Sequence, residues 1–271
     1  MFELLLIAIA LVGSLAAGIY DLKTSNIPDS LCIAMIIAGL VIHSVYGFLT
    51  GDFNNLINSL MFGGLFLAFS LAMYFTGQWG GGDGELLIAI GVLLPNLTIV
   101  NTYFPFAISF FINSFFIGAA YSLIYSIILV YRNDGISKSF FKSINQPPLI
   151  MVLLALLLLS FASFFYLKFL SVIFFLSFVM VIFCKFAKSI DKGFYKRIPV
   201  SKLKVDDMLG EDIPKLKLYK RLIKGLTKEQ VQKIKKNKKY VIVKEGIRYG
   251  LTFPLALIFT LLFGDVFLLL I

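Results

Sequence analysis

The sequence predicts an all-α polytopic membrane protein of about eight transmembrane helices, with a small cytoplasmic α+β segment before the last helix. Of its 271 residues 59% are hydrophobic and 15% charged, against roughly 25% charged in soluble domains. Apolar runs long enough to cross a bilayer, about 20 residues each, recur from Phe2 to Ile271. The charge is also confined: residues 188–248 hold 19 Lys/Arg and 7 Asp/Glu, net +12, in a chain of net +10. An ordinary soluble enzyme is excluded. Cys32 and Cys184 lie far apart, in or beside apolar runs, so neither a disulfide framework nor a Cys-based zinc site is expected.

Helices are expected at 2–20, 31–49, 56–76, 86–100, 106–131, 149–167, 169–187 and 251–271. The first begins Met1-Phe2-Glu3, acidic where a signal peptide is basic, so it is expected to be a retained span. The 41 residues 147–187, apolar except for Lys168 and Lys185, would reach about 60 Å as one helix, twice a bilayer core. They must fold back, and Lys168 marks the turn. Residues 86–131 are likewise too long for one span, and Pro95, Asn96, Asn101 and Pro105 supply the break. The resulting organisation is a membrane core at 1–131, further helices at 132–187, a basic cytoplasmic domain at 188–248 and a last helix at 249–271.

Cytoplasmic loops hold the excess of Lys and Arg. With the N-terminus outside, the inner loops are 21–30, 77–85, 132–148 and 188–250; with Lys185 at the edge of the last, they hold 24 of the 25 basic residues and leave only Lys168 outside. The basic segment is expected to be held on the cytoplasmic side and drawn to anionic lipid headgroups; it carries no nucleic-acid reader motif. Its apolar residues, Leu203, Val205, Met208, Leu209, Leu222, Ile223, Leu226 and 240–243, predict a small core. Thr227-Lys228-Glu229-Gln230 is a capping box opening a helix through Lys236, and Tyr240-Val241-Ile242-Val243 reads as a strand.

Acids at span ends call for a reason, and two lie on the expected inner side. Asp21 follows the first span in Tyr20-Asp21-Leu22-Lys23-Thr24-Ser25-Asn26-Ile27-Pro28; Asp83 stands in Gly80-Gly81-Gly82-Asp83-Gly84-Glu85. The glycines are expected to supply positive-φ backbone and to let a peptide approach unobstructed. Two close carboxyl groups do not both ionise readily; one keeps a proton and polarises a carbonyl while the other takes a proton from water, the chemistry of aspartic proteases. The bland reading is that Asp83 caps a helix and Asp21 starts a turn. It is the pairing of the two that favours chemistry.

Gly80-Gly81-Gly82-Asp83 matches the GxGD signature of membrane-embedded aspartyl proteases, and Asp21 with Ile27-Pro28 resembles the first-aspartate loop of type IV prepilin peptidases and archaeal preflagellin peptidases. The resemblance is clearest over residues 1–130. Leu209-Gly210-Glu211-Asp212-Ile213-Pro214, Phe253-Pro254 and Gly264-Asp265 are similar to the C-terminal region of archaeal members. It implies cleavage of a short basic leader from a pilin-like or archaellin precursor at the cytoplasmic face, with Asp21 and Asp83 as the catalytic pair. Gly80, Gly82 and Glu85 are expected to meet the substrate, Glu85 by attracting the basic leader. The paired CxxC motifs of bifunctional bacterial members are absent from this sequence, so peptidase activity without methyl transfer, cofactor or metal is expected.

Elsewhere, structural roles are expected. Trp79 reads as an interfacial anchor, His43 as a core or interface residue, and Asn113 and Ser114 as interhelical hydrogen-bonding residues. Asp265 reads as an acid near the outer end that reaches water. Gly63-Gly64 and Gly118-Ala119-Ala120 read as helix packing points, and Asn96-Leu97-Thr98 as a chance sequon. The rival functions are an ion-coupled transporter, against which the acids lie at helix ends and not at the midplane, a scaffold with a basic cap, and a presenilin-like protease cutting within spans.

Overall fold

The computed structural model describes residues 2–132, 134–205, 207–216, 218, 225–244 and 246–266. Its regular elements are α1 (Phe2–Thr24), α2 (Asp29–Thr50), α3 (Asn54–Phe75), α4 (Gly81–Leu93), α5 (Phe106–Arg132), α6 (Asp134–Ile144), α7 (Pro147–Phe164), α8 (Lys168–Gly193), β1 (Tyr195–Pro199), β2 (Met208–Leu209), α9 (Lys228–Asn237), β3 (Tyr240–Lys244) and α10 (Thr252–Phe263). Three short 3-10 turns lie at Val200–Lys202, Pro214–Leu216 and Tyr249–Leu251. The chain divides into two compact units, Met1–Leu123 with Leu222–Lys224 and Gly246–Ile271, and Ile124–Arg221 with Gly225–Glu245.

Among the described residues six helices, α1, α2, α3, α5, α7 and α8, are long and apolar enough to cross a membrane. The other two expected spans are shorter helices. α4 has 13 residues and α10 has 12, about 20 and 18 Å at 1.5 Å per residue, short of a roughly 30 Å hydrocarbon core. α4 starts five residues before the expected Leu86, and stops at Leu93 because Pro95 follows. α10 stops at Gly264, whose φ is +68°; residues 267–271 lie outside the described ones.

In the first unit, α4 is the centre. Gly84, Leu86, Leu87, Ala89, Ile90, Gly91, Val92 and Leu93 are all buried, and a helix apolar on every side must be enclosed by protein or lipid. Small residues admit its neighbours: a Cβ on Gly63 would stand 2.6 Å from Val92 Cγ2, and one on Gly91 would stand 2.4 Å from Phe66 Cδ2. The last carbonyls of a helix lack intrahelical partners; here Ser59 Oγ donates to Val92 O at 2.7 Å, and His43 Nε2 lies 3.2 Å from Leu93 O. His43 is thus a buried core residue. Gly64 has open space around its Cβ position, so of the expected pair only Gly63 is a packing point.

The far end of this unit holds a second polar knot. Asn113 Nδ2 donates to Thr260 Oγ1 at 2.9 Å and to Gly264 O at 2.8 Å, and its Oδ1 accepts from Val266 N–H at 3.0 Å. Ser114 instead bonds back to Phe111 O within α5. Asp265 does not reach water as expected: it is 1% exposed and accepts from the Tyr103 N–H.

In the second unit α7 and α8 fold back on each other through the turn before Lys168, as 41 apolar residues require, and Ser160 Oγ donates to Ser171 O at 3.0 Å across the pair. The expected inner loop 132–148 contains an additional amphipathic helix, α6. The basic segment forms a three-stranded antiparallel sheet, order β1-β3-β2, with Tyr195 opposite Lys244 and Met208 opposite Lys244 on the other side. Leu203, Leu209, Leu226, Val231, Ile234, Val241 and Val243 are in its core. Thr227 and Gln230 form the capping box of α9. Val205 is exposed at 41%, and Leu222 and Ile223 fall outside the described residues.

Candidate active site

Asp21 lies in the last turn of α1, which Thr24 ends because Ser25 takes a left-handed φ of +58°. The chain then turns through Asn26 and Ile27 into Pro28, whose fixed φ suits a helix entry. Asp83 is the third residue of α4, where a carboxylate favours the positive end of the helix dipole. The Gly80 N–H faces its carboxylate.

What joins the two loops is a contact between backbone and side chain. Ile27 is 2% exposed, and a Cβ on Gly82 would lie 2.8 Å from Ile27 Cβ and 3.4 Å from Ile27 O. A Cβ on Gly84 would lie 2.8 Å from Ser70 Cβ, and Ser70 Oγ donates to Gly84 O at 3.1 Å. Gly82 and Gly84 therefore serve close approach. They do not supply positive φ, which among described glycines occurs at Gly51, Gly77 and Gly264, and the run opens α4 instead of looping. With the loops in contact, the charge of Asp21 acts on Asp83. Two carboxyl groups that interact in this way can titrate together, and such a pair can supply an acid and a base.

Of the other expected residues, Gly80 adjoins Asp83, with its Cβ position 3.4 Å from Asp83 Oδ2. Glu85 Oε2 is buried with no hydrogen-bond partner among the described residues, and the Asp29 carboxylate, at the start of α2, is near enough to act on it. Trp79 is not a lone interfacial anchor: its ring lies 5.5 Å from Phe69, 6.1 Å from Phe115, 5.9 Å from Tyr249 and 5.9 Å from Phe253.

Three residues at the site have no counterpart in the sequence reading. Arg248, Tyr249 and Gly250 precede α10, and the Gly250 N–H donates to Asp21 Oδ2 at 2.8 Å. Arg248 donates to Ser25 Oγ at 3.1 Å and to the Leu22 carbonyl. The Tyr249 ring sits over Gly118, where a Cβ would strike its hydroxyl. This contact explains the expected packing point at Gly118. No local motif marks these residues; the Asp21 to Gly250 bond spans 229 residues.

A helical membrane protein with two carboxyl groups at abutting helix ends is the class that fold and site define. Residues 7–123, which contain both acids, match the model of the type IV leader peptidase family. A preflagellin peptidase of Methanocaldococcus jannaschii is 33% identical over 134 residues, 45% of this chain and 55% of that protein. One of Methanococcus maripaludis is 31% identical over 138 residues, 46% of this chain and 57% of that protein. A prepilin peptidase of Methanothermobacter thermautotrophicus is 25% identical over 166 residues, 56% and 43% of the two chains. The matches span about half the length of these curated relatives.

Proposed function

We propose that this chain is a membrane aspartic endopeptidase that removes the short basic leader of pilin-like or archaellin precursors at the cytoplasmic face, without methylating the new N-terminus. The observation that carries the reading is the seating of Ile27 against Gly82, which sets the Asp21 and Asp83 loops side by side. The names of these relatives, preflagellin and prepilin peptidases, support the substrate class.

In the proposed reaction the ionised carboxylate takes a proton from water as its oxygen bonds to the scissile carbonyl carbon, while the protonated acid gives its proton to the carbonyl oxygen. The tetrahedral intermediate then collapses: the C–N bond breaks, the leaving amine takes the proton removed from water, and the hydroxyl proton returns to the acid. Both carboxyl groups end as they began. No other group need bind.

Co-expression with a panel of pilin-like and archaellin-like precursors, read by gel shift and N-terminal sequencing, tests this. The parent shortens its substrate, and Asp21→Asn and Asp83→Asn each lower cleavage by at least about a hundredfold while inserting normally. Cleavage at the parent rate in either variant overturns the assignment.

A further inference from the structure

The segment from Gly246 onward lies outside the stretch that matches the family model, which ends at residue 123. Yet it supplies the one hydrogen bond seen on the Asp21 side chain among the described residues. Two glycines make that contact feasible. A Cβ on Gly250 would lie 2.8 Å from Asp21 Cβ and 3.0 Å from Asp21 Oδ2, and a Cβ on Gly18, one turn earlier in α1, would lie 3.0 Å from Leu251 Cα. The α1 surface is bare on this side, so that the backbone of 250–251 can lie against it.

The segment is anchored on both sides of the amide. Before it, Arg248 bonds to Ser25 and to the Leu22 carbonyl, on the turn that follows Asp21, and the Arg248 carbonyl accepts from the Tyr121 hydroxyl at 2.9 Å. Beside it, the Tyr249 hydroxyl donates to Ser114 O at 3.3 Å, and its ring packs on Trp79, one residue before Gly80. The charge of Asp83 reaches Tyr249. The segment thus touches the chain on both acid loops.

Resting on the peptidase reading, we propose that Arg248-Tyr249-Gly250 is a positioning segment of the catalytic pair, in which the Gly250 amide holds the Asp21 carboxylate in its working orientation and Arg248 holds the amide. A free carboxylate at a helix end turns about its side-chain bonds; one pinned through Oδ2 presents Oδ1 along a fixed direction. Catalytic groups displaced by about 1 Å can lose roughly a hundredfold in rate, so the effect belongs in turnover and not in substrate capture.

The test uses purified full-length protein in detergent, normalised to the folded fraction, with a precursor that the parent cleaves. Gly250→Ala, whose methyl must push Asp21 off the amide, is expected to lower kcat by about tenfold to a hundredfold with KM within about threefold. Arg248 is half-buried and is not part of the apolar core, so Arg248→Ala decides the matter should Gly250→Ala not fold. It is expected to lower kcat at least about fivefold, with Arg248→Lys falling between it and the parent. Gly246→Ala, where a Cβ meets nothing within 4 Å, keeps parental values. If Arg248→Ala and any folded Gly250→Ala leave kcat within twofold, or if KM moves in place of kcat, or if Arg248→Lys restores nothing, the positioning role is overturned while the peptidase reading stands. A parent that cleaves no precursor overturns both.

Discussion

At Gly82 the space for a side chain is already occupied by Ile27, 2.8 Å from the position a Cβ would take. Gly82→Ala must therefore move the Asp83 loop away from the Asp21 loop, and cleavage should fall by roughly tenfold or more in the precursor gel-shift assay. Gly81→Ala, next to it and in open space, is the matched comparison and should cleave at the parental rate. If both variants behave alike, the contact does not set the distance between the acids. Glu85 leads to a different expectation. Its buried Oε2, without a hydrogen-bond partner among the described residues, lies beside the Asp29 charge and is suited to meeting a cation, so Glu85→Gln should raise KM for a precursor with a basic leader. It should have a smaller effect on a precursor whose leader lysines are replaced by glutamine. Equal effects on both would remove Glu85 from leader recognition.

Among the elements, α4 shows how much was legible and why the rest was not. Its existence and its carboxylate could be read from apolar residues following Gly80-Gly81-Gly82-Asp83, and its end from Pro95. Its length could not, because the sequence shows that a run is apolar without showing whether protein or lipid surrounds it. The glycines were read as a loop since isolated Gly-rich runs resist helix formation; tertiary packing overrides this, because only glycines let Ile27 and Ser70 come so near. The capping box of α9 and the strand β3 were legible because each is specified by residues within a few positions. β1 and the Gly250 contact were not, since each depends on partners far away in the chain.

The C-terminal end of α4 offers a measurable consequence. Ser59 and His43 satisfy the carbonyls of Val92 and Leu93 inside a core with few other donors. Ser59→Ala removes the hydroxyl donor of the Val92 carbonyl and should destabilise the protein by roughly 1–3 kcal/mol, read as a lower midpoint in thermal unfolding in detergent. Ser163→Ala, on an exposed hydroxyl that bonds within its own helix, should leave the midpoint nearly unchanged. A parental midpoint for Ser59→Ala would show that the carbonyl is satisfied in another way.

On the scale of the whole molecule the strongest regularity is the distribution of charge, and it fixes an expected orientation that the fold does not by itself supply. With 24 of 25 basic residues on one expected side, placing the N-terminus inside would put almost all of them across the membrane, against the bias that sets orientation. The second unit offers two reporters for the two sides: Lys168 at the α7–α8 turn and Lys235 on α9, both exposed. Of the native cysteines, Cys32 is buried and Cys184 exposed, so Cys184→Ser provides a quiet background. In intact cells a membrane-impermeant maleimide should label Lys168→Cys, whereas Lys235→Cys should react only after permeabilisation. Labelling of Lys235→Cys from outside would invert the topology. It would also place the leader cleavage proposed for Asp21 and Asp83 on the external face, where a basic leader held back in the cytoplasm could not reach it, so sidedness and substrate class are tested by the same experiment.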